Sequence, residues 1–193
     1  MNHSHARELK STSADTRKLR SRMALRAAML ELLAEKAFDQ ILITEIAQRA
    51  GVGYATFFRH YQTKDDVLAE IAADQIRSLL EMSIPVTLRA GTHESCRALC
   101  QYVHERRALW RPLLTGGAAA SVRAEFVRQA RQWAGDGRHA RPGVPVDLGT
   151  VCAAGSTIDA LAWWLERGEA YSVDEIAGFI DRLIIAPFVK SEA

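Results

Sequence analysis

The chain has 193 residues, of which 48% are hydrophobic and 25% charged, an ordinary globular balance that argues against disorder throughout. No apolar run approaches the ~20 residues that span a bilayer, and the polar, basic N-terminus lacks the apolar stretch of a secretory signal, so a cytoplasmic chain is expected. Three cysteines, Cys96, Cys100 and Cys152, are too few for a disulfide scaffold and read as reduced thiols.

The net charge of +2 says little, but its distribution is uneven. Residues 1–30 hold seven basic and two acidic side chains, a net +5, which leaves −3 for the remainder. A basic arm of this kind can follow a phosphate backbone, and a solvated tail has the same composition.

Taken in chain order, nearly every segment has helical periodicity, and strand alternation is missing. An all-α fold is predicted. Residues 1–14 read as a flexible basic arm. Leu19, Met23, Ala27, Leu30 and Ala34 recur at three- and four-residue steps and predict a helix over 15–36. Two short helices follow at 44–50 and 54–61, with Thr44 as the expected N-cap of the first. Between them, Gly51-Val52-Gly53 makes a tight turn in which Gly51 needs a positive φ. A long helix is expected at 64–83, opened by Thr63 and stopped near Pro85. Further helices are predicted at 93–105, 106–115, 118–134, 146–167 and 173–186. The last carries a Ser172–Glu175 capping box and stops at Pro187. The run Gly135 to Pro145 (GDGRHARPGVP) is the longest expected loop. This gives a helix-turn-helix domain at 15–63 and a helical domain at 64–193.

The informative segment is Ile43 to Lys64, ITEIAQRAGVGYATFFRHYQTK. Ile46, Ala47, Val52, Phe57 and Tyr61 are spaced to form one small core. That leaves Tyr54, Ala55, Thr56, Phe58, Arg59 and His60 projecting outward on a helix suited to a major groove. Arg59 can fork onto guanine, Thr56 can touch a thymine methyl or a phosphate, and Tyr54 can reach a base edge. Thr44 and Lys64 open helices, where backbone N–H groups favour phosphate.

These residues carry a family resemblance. Glu35-Lys36-Ala37-Phe38, Thr44-Glu45-Ile46-Ala47, Ala50-Gly51-Val52 and Thr56 to Leu68 closely resemble the DNA-binding domain of TetR/AcrR repressors. Two positions depart from the family's pattern. Phe58 stands where a tyrosine hydroxyl commonly meets phosphate, and Tyr61 stands where phenylalanine is usual. The resemblance implies a DNA-binding homodimer with a helical regulatory domain, an apolar effector pocket and dimerisation through the last two long helices. The aromatic and apolar candidates for that pocket are Tyr102, Trp110, Leu113, Phe126, Trp133, Trp163 and Trp164, for each of which plain core packing is the competing role. Two stripes fit the interface independently of the resemblance. Val151, Gly155 and Ile158 lie on the first; Ile176, Ile180, Leu183 and Ile184 lie on the second. The adjacent Trp163 and Trp164 point about 100° apart, so one can pack inward while the other faces a partner.

His93, Cys96, Cys100 and His104 fall within an arc of about 80° on one helix face, yet span about 16 Å along it. One helix cannot wrap a tetrahedral ion with all four, so no metal is expected. No nucleophile elbow, phosphate loop or zinc-hydrolase motif is present, so neither enzyme activity nor a cofactor is expected. The expected function is therefore a repressor that binds an inverted-repeat operator on double-stranded DNA as a homodimer, released by a small, largely apolar effector. The alternative is a DNA-binding regulator with no small ligand.

Overall fold

The computed structural model describes residues 3–190, except Asp136, Arg138, His139 and Glu169; the side chains of residues 1–14, Pro85, Leu88 and Arg89 also lie outside what is described. Of the stretch 1–14 read from the sequence as a flexible arm, Met1 and Asn2 lie outside the described residues, and from His3 onward the backbone is helical instead. Among the described residues the fold is all-helical, with one isolated bridge between Ala140 and Val189. The chain forms two compact units, Met1–Leu68 and Ala69–Ala193. The sequence reading sets the division at 63, but Val67 and Leu68 are completely buried and belong to the first unit.

In the first unit, α1 (His3–Glu35) begins well before the predicted residue 15. Leu25, Met29, Leu32 and Leu33 are its buried face. A short 3-10 turn (Phe38–Gln40), absent from the sequence reading, leads into α2 (Ile43–Arg49) and α3 (Tyr54–Phe58). Thr44 is not the N-cap of α2, because the helix begins one residue earlier and Leu42 takes that position. Leucine has no side-chain acceptor, so only half a capping box forms: the Leu42 N–H donates to Glu45 Oε2 at 2.9 Å. The α2 C-terminus closes as predicted on Gly51, whose φ is +64°. The Val52 N–H reaches the Ala47 carbonyl and the Gly51 N–H the Gln48 carbonyl, both at 3.0 Å, which is a Schellman motif.

The next helix, α4 (Lys64–Ala90), begins in the first unit and continues in the second. It runs beyond Pro85, where the sequence reading stops it, and ends at Gly91 with φ +88°. A proline at position 85 removes one donor from the ladder without forcing a stop, whereas left-handed backbone at Gly91 does stop it. The opening is the expected one: the Asp66 N–H donates to Thr63 Oγ1 at 3.2 Å, and Asp66 Oδ2 accepts from the Thr63 N–H at 2.8 Å.

The second unit continues with α5 (Thr92–Glu105), α6 (Arg107–Thr115), α7 (Ala119–Ala134) and α8 (Val146–Glu166). Its last helix, α9 (Val173–Ile180), is shorter than the predicted 173–186, because the chain widens into a π-turn at Asp181–Ile185. The Ser172–Glu175 capping box is present, with Ser172 Oγ accepting from the Glu175 N–H at 3.3 Å. The principal packings are α7 on α8, α5 on α9 and α6 on α8. They enclose Trp110, Leu113, Leu161, Trp164 and Leu165, all at most 1% exposed.

Candidate nucleic-acid interface and effector cavity

The turn between α2 and α3 fixes how the second helix is presented. Ile46, Ala47, Phe57 and Tyr61 are buried together beneath it. That burial turns Tyr54, Ala55, Phe58 and Arg59 to solvent. Tyr54 and Phe58 meet edge to face with ring centroids 5.0 Å apart, so two aromatic edges stand side by side on the exposed surface. The Arg59 guanidinium donates to Thr56 Oγ1 at 2.9 Å, which holds its fork over the helix. α2 is tied back to α1 by Arg49, which grips both Glu35 oxygens at 2.7 and 2.9 Å. That fork holds the Glu35 carboxyl below the usual range, and Lys36 does the same for Glu45.

Two predicted contact residues have other employment. Lys64 does not stand free at its helix start: its ammonium donates to the carbonyls of Phe38, Asp39 and Ile41 at 2.8, 3.3 and 3.0 Å. The Phe38 carbonyl also accepts the Ile41 N–H at 3.0 Å, so the ammonium takes its second lone pair together with the Asp39 and Ile41 carbonyls. His60 is half-buried rather than projecting, with Nε2 2.7 Å from Ser21 Oγ on α1. Thr44 is exposed in the first turn of α2. The Ser21–His60 and Arg49–Glu35 ties escaped the sequence reading; both link residues 14 or more apart, beyond any helical spacing.

The second unit contains a cavity of about 640 Å³. Its walls come from α4, α5, α7, α8 and Ile180 of α9, from Gly137 and the 140–145 stretch, and from the C-terminal segment. Of the seven predicted pocket residues, only Phe126 and Trp133 line it. Trp110 and Leu113 are packed in the core with no exposure at all. Trp164 is likewise buried, its indole N–H donating to the Tyr171 carbonyl at 2.9 Å. Tyr102 donates its hydroxyl to Gln75 Oε1 at 2.8 Å, under the Arg106 guanidinium. Trp163 faces outward, covered by Arg167 at 4.0 Å. Helical periodicity marks which aromatics are buried but cannot separate a filled core from a hollow one. The loop and C-terminal walls carry no periodic signal.

The interface stripes also split. Ile158, Ile176 and Ile180 are at most 3% exposed, and Gly155 is buried, so these residues serve the chain's own core. Val151 and Ile184 are half-buried, and Leu183 is 74% exposed. Exposed apolar side chains on that helix pair include Leu148 near the start of α8, and Trp163, Phe179 and Leu183 around a cleft of about 80 Å³. On α8 the small residues make both faces look apolar, so periodicity alone does not say which face points inward.

Among the described residues, no three histidine, cysteine or acidic side chains are grouped to hold a metal ion. Cys96 and Cys100 are buried, and burial pushes the Cys96 thiol up to about 12 and Cys100 higher still. His104 stacks on Trp164 with ring centroids 6.0 Å apart. No helix among the described residues is long and apolar enough to cross a membrane.

An exposed second helix on a Schellman turn, clamped to a longer first helix, defines a helix-turn-helix DNA-binding domain. Residues 25–71 match the model for bacterial regulatory proteins of the tetR family. An HTH-type transcriptional regulator of Mycobacterium tuberculosis is 30% identical over 105 residues, 51% of this chain and 48% of the relative. Another from Bacillus subtilis is 33% identical over 86 residues, 44% of this chain and 22% of that one. The chain thus spans about half or less of the curated relatives it matches. Solved structures agree on the fold. A tetR-family repressor FadR of Thermus thermophilus, in complex with lauroyl-CoA, aligns with TM-score 0.64 and 18% identity, covering 89% of this chain and 97% of that one. RolR in complex with resorcinol aligns with TM-score 0.58 and 22% identity, covering 88% and 97%. Residues 25–71 are thus similar to the DNA-binding region of tetR-family regulators, and the chain shares the fold of the solved structures of that family.

Proposed function

We propose that the protein is a repressor that binds an inverted-repeat operator as a homodimer and is released by a small, largely apolar effector. The observation carrying this reading is the pairing, in one chain, of an exposed recognition helix with a hollow apolar second unit. Tyr54, Thr56 and Arg59 supply base-edge and methyl contacts, while Thr44 meets phosphate beside them. Structural neighbours crystallised with lauroyl-CoA and resorcinol support an effector role for the cavity.

α4 is the natural transmitter. It opens directly after the recognition helix and contributes Leu80, Ser83, Ile84 and Thr87 to the cavity wall. Its 27 residues make a rod of about 40 Å. An effector that prefers one setting of this rod by a hundredfold couples to DNA binding by about 2.7 kcal/mol. The two-fold partner sits on Trp163, Phe179 and Leu183, whose exposed apolar surface supports an isologous contact.

The test is operator selection from a randomised DNA pool. Two inverted half-sites about one helical turn apart, or a multiple, are expected. Arg59→Ala should weaken the selected site by about 1–3 kcal/mol and relax preference at one base position. Selection that yields no symmetric site, or an unchanged affinity for Arg59→Ala, contradicts this reading.

A further inference from the structure

The cavity has chemically distinct ends. Its inner wall includes the buried Leu80, Ser83, Phe126 and Thr157, and its outer rim the exposed Trp133, Arg141 and Pro145. Among the described lining residues, Arg141 is the one charged side chain. No described carboxylate pairs with its guanidinium, whereas other arginines of this unit are engaged: Arg131 with Asp147 at 2.7 Å and Arg123 with Asp159 at 3.1 Å. The Arg141 N–H donates to the Phe188 carbonyl at 2.9 Å, which anchors the residue at the rim.

The wall's hydroxyls narrow the ligand further. Ser95 and Thr87 donate to the Ser83 carbonyl at 2.9 and 3.4 Å. Thr150 and Thr157 donate to the Val146 and Ala153 carbonyls, both at 2.8 Å. A hydroxyl has one proton, so these four present only lone pairs to the cavity. A carboxylate in the interior would meet at most the Ser83 hydroxyl as a hydroxyl donor and would lose most of its hydration uncompensated. A cationic head would find no described carboxylate anywhere in the wall.

Building on the effector reading above, we infer that the cavity takes a carboxylate-headed amphiphile, bound tail first with its head on Arg141. The apolar tail fills the space beside Leu80, Leu99 and Phe126. The head stays at the rim, where the guanidinium forms a charge-assisted pair at a partly desolvated site. The volume lies within the range of pockets for drug-sized ligands, so a single chain or a substituted aromatic acid fits.

The experiment compares dodecanoate, dodecanol and dodecyltrimethylammonium, each below its micelle concentration. Trp133 fluorescence and release of the selected operator are read on the wild type, Arg141→Gln and Arg141→Lys. The acid should bind about tenfold more tightly than the alcohol, the size of one charge-assisted hydrogen bond. The ammonium should bind most weakly. Arg141→Gln should erase the acid's advantage while leaving dodecanol affinity unchanged, which also reports that the variant is folded; Arg141→Lys should keep most of it. Equal binding of acid and alcohol, or an acid preference that survives Arg141→Gln, overturns this inference. If dodecanol still releases the operator in those cases, the effector reading stands without it. If none of the three binds or releases DNA, both fall together.

Discussion

The Lys64 ammonium sits 2.8 Å from the Phe38 carbonyl oxygen and 4.5 Å from the centroid of the Phe38 ring. One cation thereby closes the 3-10 turn after α1 and covers the aromatic anchor of that turn. Phe38 is itself buried, so the arrangement holds the base of the helix-turn-helix together. Lys64→Ala should cost the domain about 1–3 kcal/mol, the cost of removing a charged donor from partly buried carbonyls. Urea denaturation of the isolated transition reads this directly. The slope of log affinity against log salt should stay unchanged, because an ammonium spent on carbonyls releases no counterion from DNA. A slope reduced by about one unit with unaltered stability would return Lys64 to the phosphate backbone.

The cysteines offer a chemical check on packing. With its thiol near 12, Cys96 is about one part in ten thousand thiolate at pH 8, and Cys100 less. Alkylation of the native protein at pH 8 should leave both unmodified, and unfolding in urea should expose them to rapid labelling. Mass spectrometry of the peptides distinguishes the two. Fast native labelling of Cys96 would mean that the α5 face opens on the labelling timescale, a result at odds with its burial.

Much of the first unit was legible in the sequence because its determinants are local. Gly51 needs left-handed backbone, and the Schellman bonds to Ala47 and Gln48 follow within the same turn. Phe57 is buried on α3; Tyr61 lies past the helix, which ends at Phe58 rather than at the predicted 61, and stays buried while its N–H bonds the Phe57 carbonyl at 3.0 Å. The cavity was not legible, because a hollow depends on how separate helices and a loop enclose space. Trp110 and Phe126 look alike in periodicity, yet one is packed solid and the other lines the void. Lys64 was misplaced for a related reason. Its partners lie 23 to 26 residues upstream, and no spacing rule connects a helix start to the carbonyls of a turn that periodicity did not reveal.

Acid should loosen the α1–α2 clamp. Arg49 depresses the Glu35 carboxyl chiefly through its side-chain hydrogen bond. A carboxyl whose folded pKa is lowered contributes stability that is present above its unfolded value of about 4.3 and is lost as pH falls through the lower folded value. The stability difference between wild type and Glu35→Gln should therefore be constant at neutral pH and shrink as the solution is acidified below about pH 4. Urea midpoints across that range measure it. Both groups are solvent-exposed, so added salt should reduce the neutral-pH difference as well. A difference that grows on acidification would reverse the sign assigned to Glu35.

Ile180 and Leu183 differ sharply in exposure, and single substitutions should separate the roles proposed for them. Ile180 is 1% exposed and lines the cavity, whereas Leu183, three residues on, is 74% exposed. The π-turn at Asp181–Ile185 adds a residue to the helical repeat there, so a uniform heptad reading of 173–186 wrongly puts Ile180 and Leu183 on one face. Leu183→Asp places a charge on a surface that is wet in the single chain, so the fold should survive. If Leu183 and its neighbour Phe179 lie under a partner subunit, that same charge is desolvated without a counter-charge and the dimer should dissociate. Ile180→Asp should instead unfold the second unit, because the charge enters its core. Light scattering with circular dichroism separates the outcomes: a folded monomer for Leu183→Asp, and lost helicity or aggregation for Ile180→Asp. The Leu183→Asp monomer should also lose operator affinity far beyond any change in its fold, since one recognition helix then binds where two did. A Leu183→Asp protein that remains dimeric at micromolar concentration would place the two-fold contact on another face.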